Sequence, residues 1–202
     1  MKRILFFLLT SGLSFAASAQ KHLFPIKIKD KWGYTNAAGK MVIAAQYDYA
    51  ESFFEDRAVV ALENQPCVIN TSNKRIIDTG LYINITRYSE GLAKVTDTKL
   101  KQSFIDVNGK KAFDLPANIY DARPFNNGLS SVATSVDIHK QKFGHDLVDL
   151  GYKFGYMNKK GEQVVPFEYD DADDFQNGFA RFREGTKFGV LDSTGRVLVP
   201  AR

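Results

Sequence analysis

Side chains able to do chemistry are sparse in this chain, and their spacing decides what each can do. Residues 135–151 hold His139, His145, Asp146 and Asp149. Imidazoles beside carboxylates are raw material for a metal site, but His-x₅-His matches no established zinc spacing. These four are the candidate ligand-binding residues, and no metal is assigned to them. Asp170, Asp171, Asp173 and Asp174 crowd a second stretch. Calcium wants roughly six to eight oxygens from a loop with its own Gly and distal Glu, which this segment lacks. The acids read instead as a solvated turn, partly balanced by Arg181 and Arg183. Cys67 is the only cysteine, so no internal disulfide can form. No Gly-x-Ser-x-Gly, His-Glu-x-x-His or phosphate-cradling glycine loop occurs. No catalytic residue and no cofactor are therefore assigned.

The elements that must position these groups recur along the chain. Trp32-Gly33-Tyr34, Phe154-Gly155-Tyr156 and Phe188-Gly189-Val190 each open a short polar stretch that closes on Gly39, Gly161 or Gly195. Asn73 and Gly109 mark weaker copies of the same turn. A second landmark is an aromatic followed three residues later by Asp or Gly: Phe53, Tyr88, Phe125 and Phe175. A small residue follows each, at Ala58, Ala93, Ser130 and Ala180, and a tyrosine precedes each, at Tyr47, Tyr82, Tyr120 and Tyr169. Three landmarks in one order define a repeat.

Each unit translates into strands. The aromatic-Gly segment alternates large with small or polar residues, as a half-buried strand does. Asn36, Asp106, Asn158 and Asp192 start turns in which the side chain bonds the backbone and the closing glycine accepts positive φ. Met41-Val42-Ile43 and Val164-Val165-Pro166 are return strands, so each unit begins with a β-hairpin. A connection holding Tyr-Asp follows, then a third strand at 57–62, 92–96, 129–133 and 179–183. No window carries a capped helical stripe. The expected fold is all-β, built of tandem three-stranded repeats, about five units in all. Aromatics recurring once per unit belong to the interior, so Trp32, Tyr34, Phe154, Tyr156 and Phe188 are the expected repeat core. Cys67 stands where the first copy has Gly33, which marks it as a small buried residue.

This pattern resembles the WG-repeat proteins, a bacterial family named for the Trp-Gly that opens a hairpin. Lys31-Trp32-Gly33-Tyr34 with Gly39-Lys40-Met41-Val42-Ile43 fits the family pattern, as does Lys153-Phe154-Gly155-Tyr156 with Val165-Pro166 and Tyr169-Asp170. Lys187-Phe188-Gly189-Val190 with Gly195 and Val199-Pro200 is a truncated copy. The second unit departs from it, with Pro66-Cys67 in place of Trp-Gly, and the third has Gln102-Ser103. The resemblance spans roughly residues 30–200. It implies a repeat scaffold for binding, with no catalytic residues common to the family.

The ends and the composition set the setting. Lys2-Arg3, the apolar run 4–15 and Ala17-Ser18-Ala19 read as a cleaved signal peptide covering residues 1–19, with 20–202 as one repeat domain carrying an insertion at 135–151. The apolar run is too short to span a bilayer comfortably, which takes roughly 20 residues, so no stable membrane insertion is expected after cleavage. Formal charge falls from +4 to +2 once Lys2 and Arg3 are removed. Basic residues form pairs rather than a patch, which argues against nucleic acid as a partner. The N-terminal segment 23–28 stands before Trp32 as 180–183 stands before Phe188. It reads as an orphan third strand, so one unit is split between the termini. A closed propeller- or barrel-like ring would pair residues 23–28 with 196–200; an open β-solenoid would not. The expected function is a non-enzymatic scaffold, exported to the periplasm or beyond, that binds a protein or glycan at the cell envelope. The alternatives are an envelope hydrolase acting on glycans and a structural subunit of an exported assembly.

Overall fold

The computed structural model describes residues 22–142 and 145–202, and the side chains of 138–150 are outside that description. The expected signal segment, its cleavage point and Gly144 also lie outside the described residues. No helix occurs among the described residues; the chain forms nineteen strands in five small antiparallel sheets.

The first sheet contains β1 (Phe24–Ile28), β2 (Lys31–Thr35) and β3 (Met41–Tyr47), in that order. The second contains β4 (Tyr49–Ala50), β5 (Arg57–Leu62), β6 (Gln65–Asn70) and β7 (Arg75–Ile77). The third contains β8 (Tyr82–Ile85), β9 (Leu92–Asp97), β10 (Gln102–Asp106) and β11 (Lys111–Asp114). The fourth contains β12 (Ile119–Ala122), β13 (Leu129–Lys142), β14 (His145–Asn158) and β15 (Gln163–Tyr169). The fifth contains β16 (Asp171–Ala172), β17 (Phe179–Glu184), β18 (Lys187–Asp192) and β19 (Val197–Val199). Every sheet is a meander, because each connection is short enough to lay a strand beside its predecessor.

Two expectations about the unit are corrected. The sheets after the first have four strands, not three. The extra strand is the Tyr-Asp segment expected to be a connection: it adds β4, β8, β12 and β16 to the edges of the sheets. The sequence unit and the sheet are also offset by two strands. The aromatic-Gly strand and its return strand finish one sheet, and the Tyr-Asp and third strands begin the next. The N-terminal segment does hold the place of a third strand beside the aromatic-Gly strand, but it does not pair with the C-terminal one. β1 pairs with β2, matching Ile26 to Gly33, and β19 pairs with β18, matching Val190 to Val199. The terminal strands share no sheet, since each finds its hydrogen-bonding partner in its own neighbour.

The core sits between sheets. Four apolar clusters join the first sheet to the second, the second to the third, the third to the fourth and the fourth to the fifth. Alternation in the strands explains this: in β5, Ala58 and Val60 enter the cluster with the first sheet, and Val59 enters the cluster with the third. A strand buried on both faces must be apolar at successive positions, as Ala58-Val59-Val60 and Cys67-Val68-Ile69 are.

Gly33 and Gly155 are required by the return strands. β3 and β15 each run seven residues, and their ladders with β2 and β14 skip the glycine. A methyl on Gly33 would lie 2.5 Å from the Ile43 carbonyl oxygen, and one on Gly155 2.5 Å from the Pro166 carbonyl oxygen. The ladder of β7 on β6 begins at Val68, one residue past Cys67, whereas Ser103 is itself paired with Asp114 of β11. Cys67 and Ser103 stand where the other units have glycine, and both are buried there. Burial raises the Cys67 thiol pKa, with Arg75 opposing weakly, so it is not a poised nucleophile.

Candidate functional site

Four tight turns line up along one rim. They connect the first strand to the second in the second to fifth sheets, at Phe54–Arg57, Ser89–Leu92, Asn126–Leu129 and Gln176–Phe179. The central residues have positive φ in every case: Glu55 and Asp56, Glu90 and Gly91, Asn127 and Gly128, Asn177 and Gly178. Paired positive φ is the signature of the hairpin turn whose twist matches that of the flanking strands. Side chains then tie one turn to the next. The Gly91 amide donates to Glu55 Oε2 at 2.7 Å, and the Gly128 amide donates to Glu90 Oε2 at 2.8 Å. The Gly178 amide lies 3.5 Å from Asn127 Oδ1. The turns are thereby fixed in register across the stack.

Other repeated side chains are structural. Lys31 pairs with Asp48, and Asp48 also accepts from the Asn64 amide at 3.0 Å. Lys153 donates to Asp170 Oδ1 at 2.8 Å, and the Gly185 amide donates to Asp170 Oδ2 at 2.6 Å. The repeated Lys and Tyr-Asp therefore clamp the edge of one sheet to the hairpin of the next. The Lys hydrogen bond, followed by the backbone one, holds the Asp48 and Asp170 carboxyls below the ordinary carboxylate range. Tyr34 and Tyr156 are fully buried and donate their hydroxyls to the Glu51 and Asp173 carbonyls, at 2.7 and 2.6 Å. Burial drives both phenol pKa values far up.

What varies from copy to copy lies just before these turns. Glu51, Thr86, Arg123 and Asp173 occupy one equivalent position, and Ser52, Arg87, Pro124 and Asp174 the next. The Arg87 guanidinium covers the Phe54 ring at 5.0 Å, and that of Arg123 lies 6.0 Å from the Phe154 ring. Arg123 Nη1 approaches Asp174 Oδ1 at 3.8 Å, and that oxygen is buried without a hydrogen-bond partner. Arg181 Nε donates to Asp173 Oδ2 at 2.9 Å. Together with Gln176 and Phe179 these four line a cavity of about 370 Å³. A second cavity, of about 290 Å³, opens between the second and third sheets beside Tyr49, Glu51 and Ile83. Burial raises the Glu51 carboxyl, opposed by the Tyr49 hydroxyl and Arg87. Guanidinium forks, carboxylates and aromatic faces in one row suit a polar chain that offers both charge and ring faces.

The residues singled out from sequence fall elsewhere. His139, His145, Asp146 and Asp149 lie on the extension of the β13–β14 hairpin, whose register sets His139 opposite Val148, His145 opposite Lys142, Asp146 opposite Gln141 and Asp149 opposite Ile138. None of the four is opposite another. The insertion is the elaborated hairpin that its flanking alternation suggests, with both strands reaching fourteen residues. The acidic stretch 170–174 is divided by function: Asp170 clamps the sheet edge, Asp173 and Asp174 meet arginines at the rim. Trp32 and Phe154 are partly buried against the core, whereas Phe188 is 43 % exposed. Phe188 was expected in the repeat core; among the described residues no further sheet packs on it, and the Arg181 guanidinium lies 4.7 Å from its ring instead. The rim arginines Arg87 and Arg123 escape sequence reasoning. The available signal is their place, one residue before Tyr88 and two before Phe125, where the copies disagree.

Comparison with curated proteins finds no match. Among solved structures, one described as the crystal structure of the eukaryotic initiation factor is 16% identical, with 87% of this chain and 38% of that chain covered and a TM-score of 0.37. A likeness at that level assigns no function. The family profile described as the WG containing repeat matches residues 32–65 and 154–187, each stretch running from the aromatic-Gly strand through the second strand of the next sheet. Those two segments, 68 of the 202 residues, are what this chain shares with the WG containing repeat.

Proposed function

We propose that this protein is a non-enzymatic binding scaffold, exported to the bacterial cell envelope, that holds a protein or glycan along the rim of stacked turns. The observation that carries this reading is the contrast within the rim. The turns repeat and are tied together, while the side chains beside them differ from copy to copy. A rigid frame with individual side chains on one edge is the arrangement repeat scaffolds use for extended recognition. The Arg123–Asp174 pair lines the more polar cavity, together with Asp173 and Arg181. Export rests on Lys2-Arg3, the apolar run and Ala17-Ser18-Ala19. In this reading the five sheets form an open stack, supported by four clusters for five sheets and by separate pairing of the terminal strands.

The test is capture from envelope extracts and on a glycan array by the purified chain. Wild type retains a partner that Arg123→Ala and Asp174→Asn lose by at least about tenfold, since each removes one half of the part-exposed charged pair that lines the cavity. Retention equal in all three, or turnover of a defined glycan by the wild type, sinks the reading. A second reading, a structural part of an exported assembly, is favoured by one specific observation. The outer faces of the first and fifth sheets expose Phe24, Ile26, Ile28, Phe179 and Phe188.

A further inference from the structure

We infer that a cavity between the third and fourth sheets binds a small amphiphilic anion, a medium-length aliphatic chain with an acidic head. It lies at the strand ends opposite the rim of turns and is independent of what the rim binds.

The site occupies a junction that has lost its clamp. Register aligns the sheets: Ile26 opposes Gly33 as Val95 opposes Ser103 and Val132 opposes Gly155. Lys101 then holds the place of Lys31 and Lys153, and Gln102 that of Trp32 and Phe154. On the sheet that follows, Ala122 opposes Val132 as Ala50 opposes Val60 and Ala172 opposes Phe182. Counting back two residues, Tyr120 holds the place of Asp48 and Asp170. The carboxylate half of the clamp is therefore replaced, and Lys101 Nζ donates instead to Asp114 of its own sheet at 2.9 Å. Across the junction Gln102 Nε2 reaches the Tyr120 carbonyl at 3.4 Å. The second and third sheets lack the clamp in the same way, with Gln65 and Ile83 at its two positions, and the cavity beside Ile83 lies there.

The lining selects the ligand. The cavity holds about 380 Å³, a volume in the range of small-molecule sites. Its walls are aliphatic: Leu115 and Ile119, both buried in the cluster the two sheets share, with Leu100, Pro116 and Ala117. No aromatic ring and no carboxylate lines it, whereas Lys99 and Lys101 both do. Lys101 already meets Asp114, which Lys111 shares. Among the described residues Lys99 forms no ion pair.

Leu100 supplies an independent observation. The hairpin loop 97–101 is one residue longer than those at Lys29-Asp30, Glu63-Asn64 and Gly185-Thr186. The added length sets Leu100 at a φ of 64° with 73% of its surface exposed. Every other non-glycine residue with positive φ among those described is Lys, Glu, Asp or Asn. A leucine in that backbone region is strained, and its exposure contributes nothing to folding. Strain of this kind gathers at ligand clamps. An aliphatic chain in the cavity gives Leu100 the burial it lacks, and an acidic head gives Lys99 a partner.

Calorimetric titration of the full chain with decanoate, up to about 5 mM, is the test. Saturable binding with a negative heat-capacity change is expected. Decanol, the same chain without the charge, binds at least about tenfold more weakly. Leu100→Asn suits the left-handed backbone, so the melting temperature does not fall, yet decanoate binding weakens at least about tenfold. Lys99→Gln weakens it about fivefold and flattens its salt dependence, while Lys40→Gln on the first sheet changes neither. Decyl phosphate compared with decanoate separates a lipid phosphate from a free fatty acid as the source of the head, and tighter binding of either supports the site. Failure of both anions to saturate overturns the inference. So does decanol binding as tightly as decanoate, or a Leu100→Asn chain that binds decanoate like wild type.

Discussion

At the residue scale, the repeated polar groups act as clamps, and their energies are separable. Tyr34→Phe and Tyr156→Phe each strand a carbonyl that the phenol now satisfies, at a cost of about 1 to 2 kcal/mol in urea unfolding. Equal stability of wild type and variants would mean that water reaches Glu51 or Asp173. The clamping carboxylates add a pH dependence. The Thr194 hydroxyl and then the Arg196 and Thr194 backbone amides hold Asp192 down to about 2, and Asp170 is lowered by Lys153. A carboxyl depressed in the folded state stabilises above its unfolded value, and that contribution fades as pH falls through the folded value. The urea midpoint therefore holds down to about pH 4 and declines towards pH 2. Lys153→Met flattens part of that decline and leaves the midpoint at pH 7 little changed, as expected of a part-exposed ion pair. A midpoint independent of pH between 2 and 4 would remove the clamps from the account.

At the element scale, the aromatic-Gly strand is dictated by its return strand more than by its own sequence. Gly155→Ala pushes a methyl against the Val165 and Pro166 carbonyls at 2.5 Å, whereas Cys67→Ala fills a position already holding a larger residue. The first costs about 2 to 3 kcal/mol and the second about 1 kcal/mol; thermal melts that rank them in reverse would refute the return-strand explanation. This also separates what could be read from sequence from what could not. Third strands at 57–62 and 179–183 were legible because alternation and turn residues bound them tightly. The edge strands β4 and β16 were not, since two-residue strands leave no periodic trace and pair only through tertiary placement. The offset of sheet and sequence unit was hidden for the same reason. Spacing shows that landmarks recur but not which neighbours share hydrogen bonds. The rim was legible only as turns, because Arg87, Arg123 and Asp174 gain meaning from their juxtaposition. Phe188 shows the limit most plainly: its local sequence equals that of Phe154, but among the described residues no further sheet packs on it.

At the scale of the molecule, the five sheets behave as a short one-dimensional array in which burial depends on having neighbours on both sides. The second, third and fourth sheets are covered on both faces; the first and fifth are covered on one. Opening free energy should follow coverage, because each interface contributes apolar burial that the end sheets have only once. Native-state hydrogen exchange reads this directly. Amides of Val60, Val68, Val95 and Ile105 are the slowest, those of Ile26 and Val190 are faster by at least about tenfold, and the turn amides of Gly91 and Gly128 are held by their carboxylate ties. Uniform protection from first sheet to fifth at low concentration would mean that the stack unfolds as one cooperative unit, and the end faces would then carry no local instability for a partner to relieve.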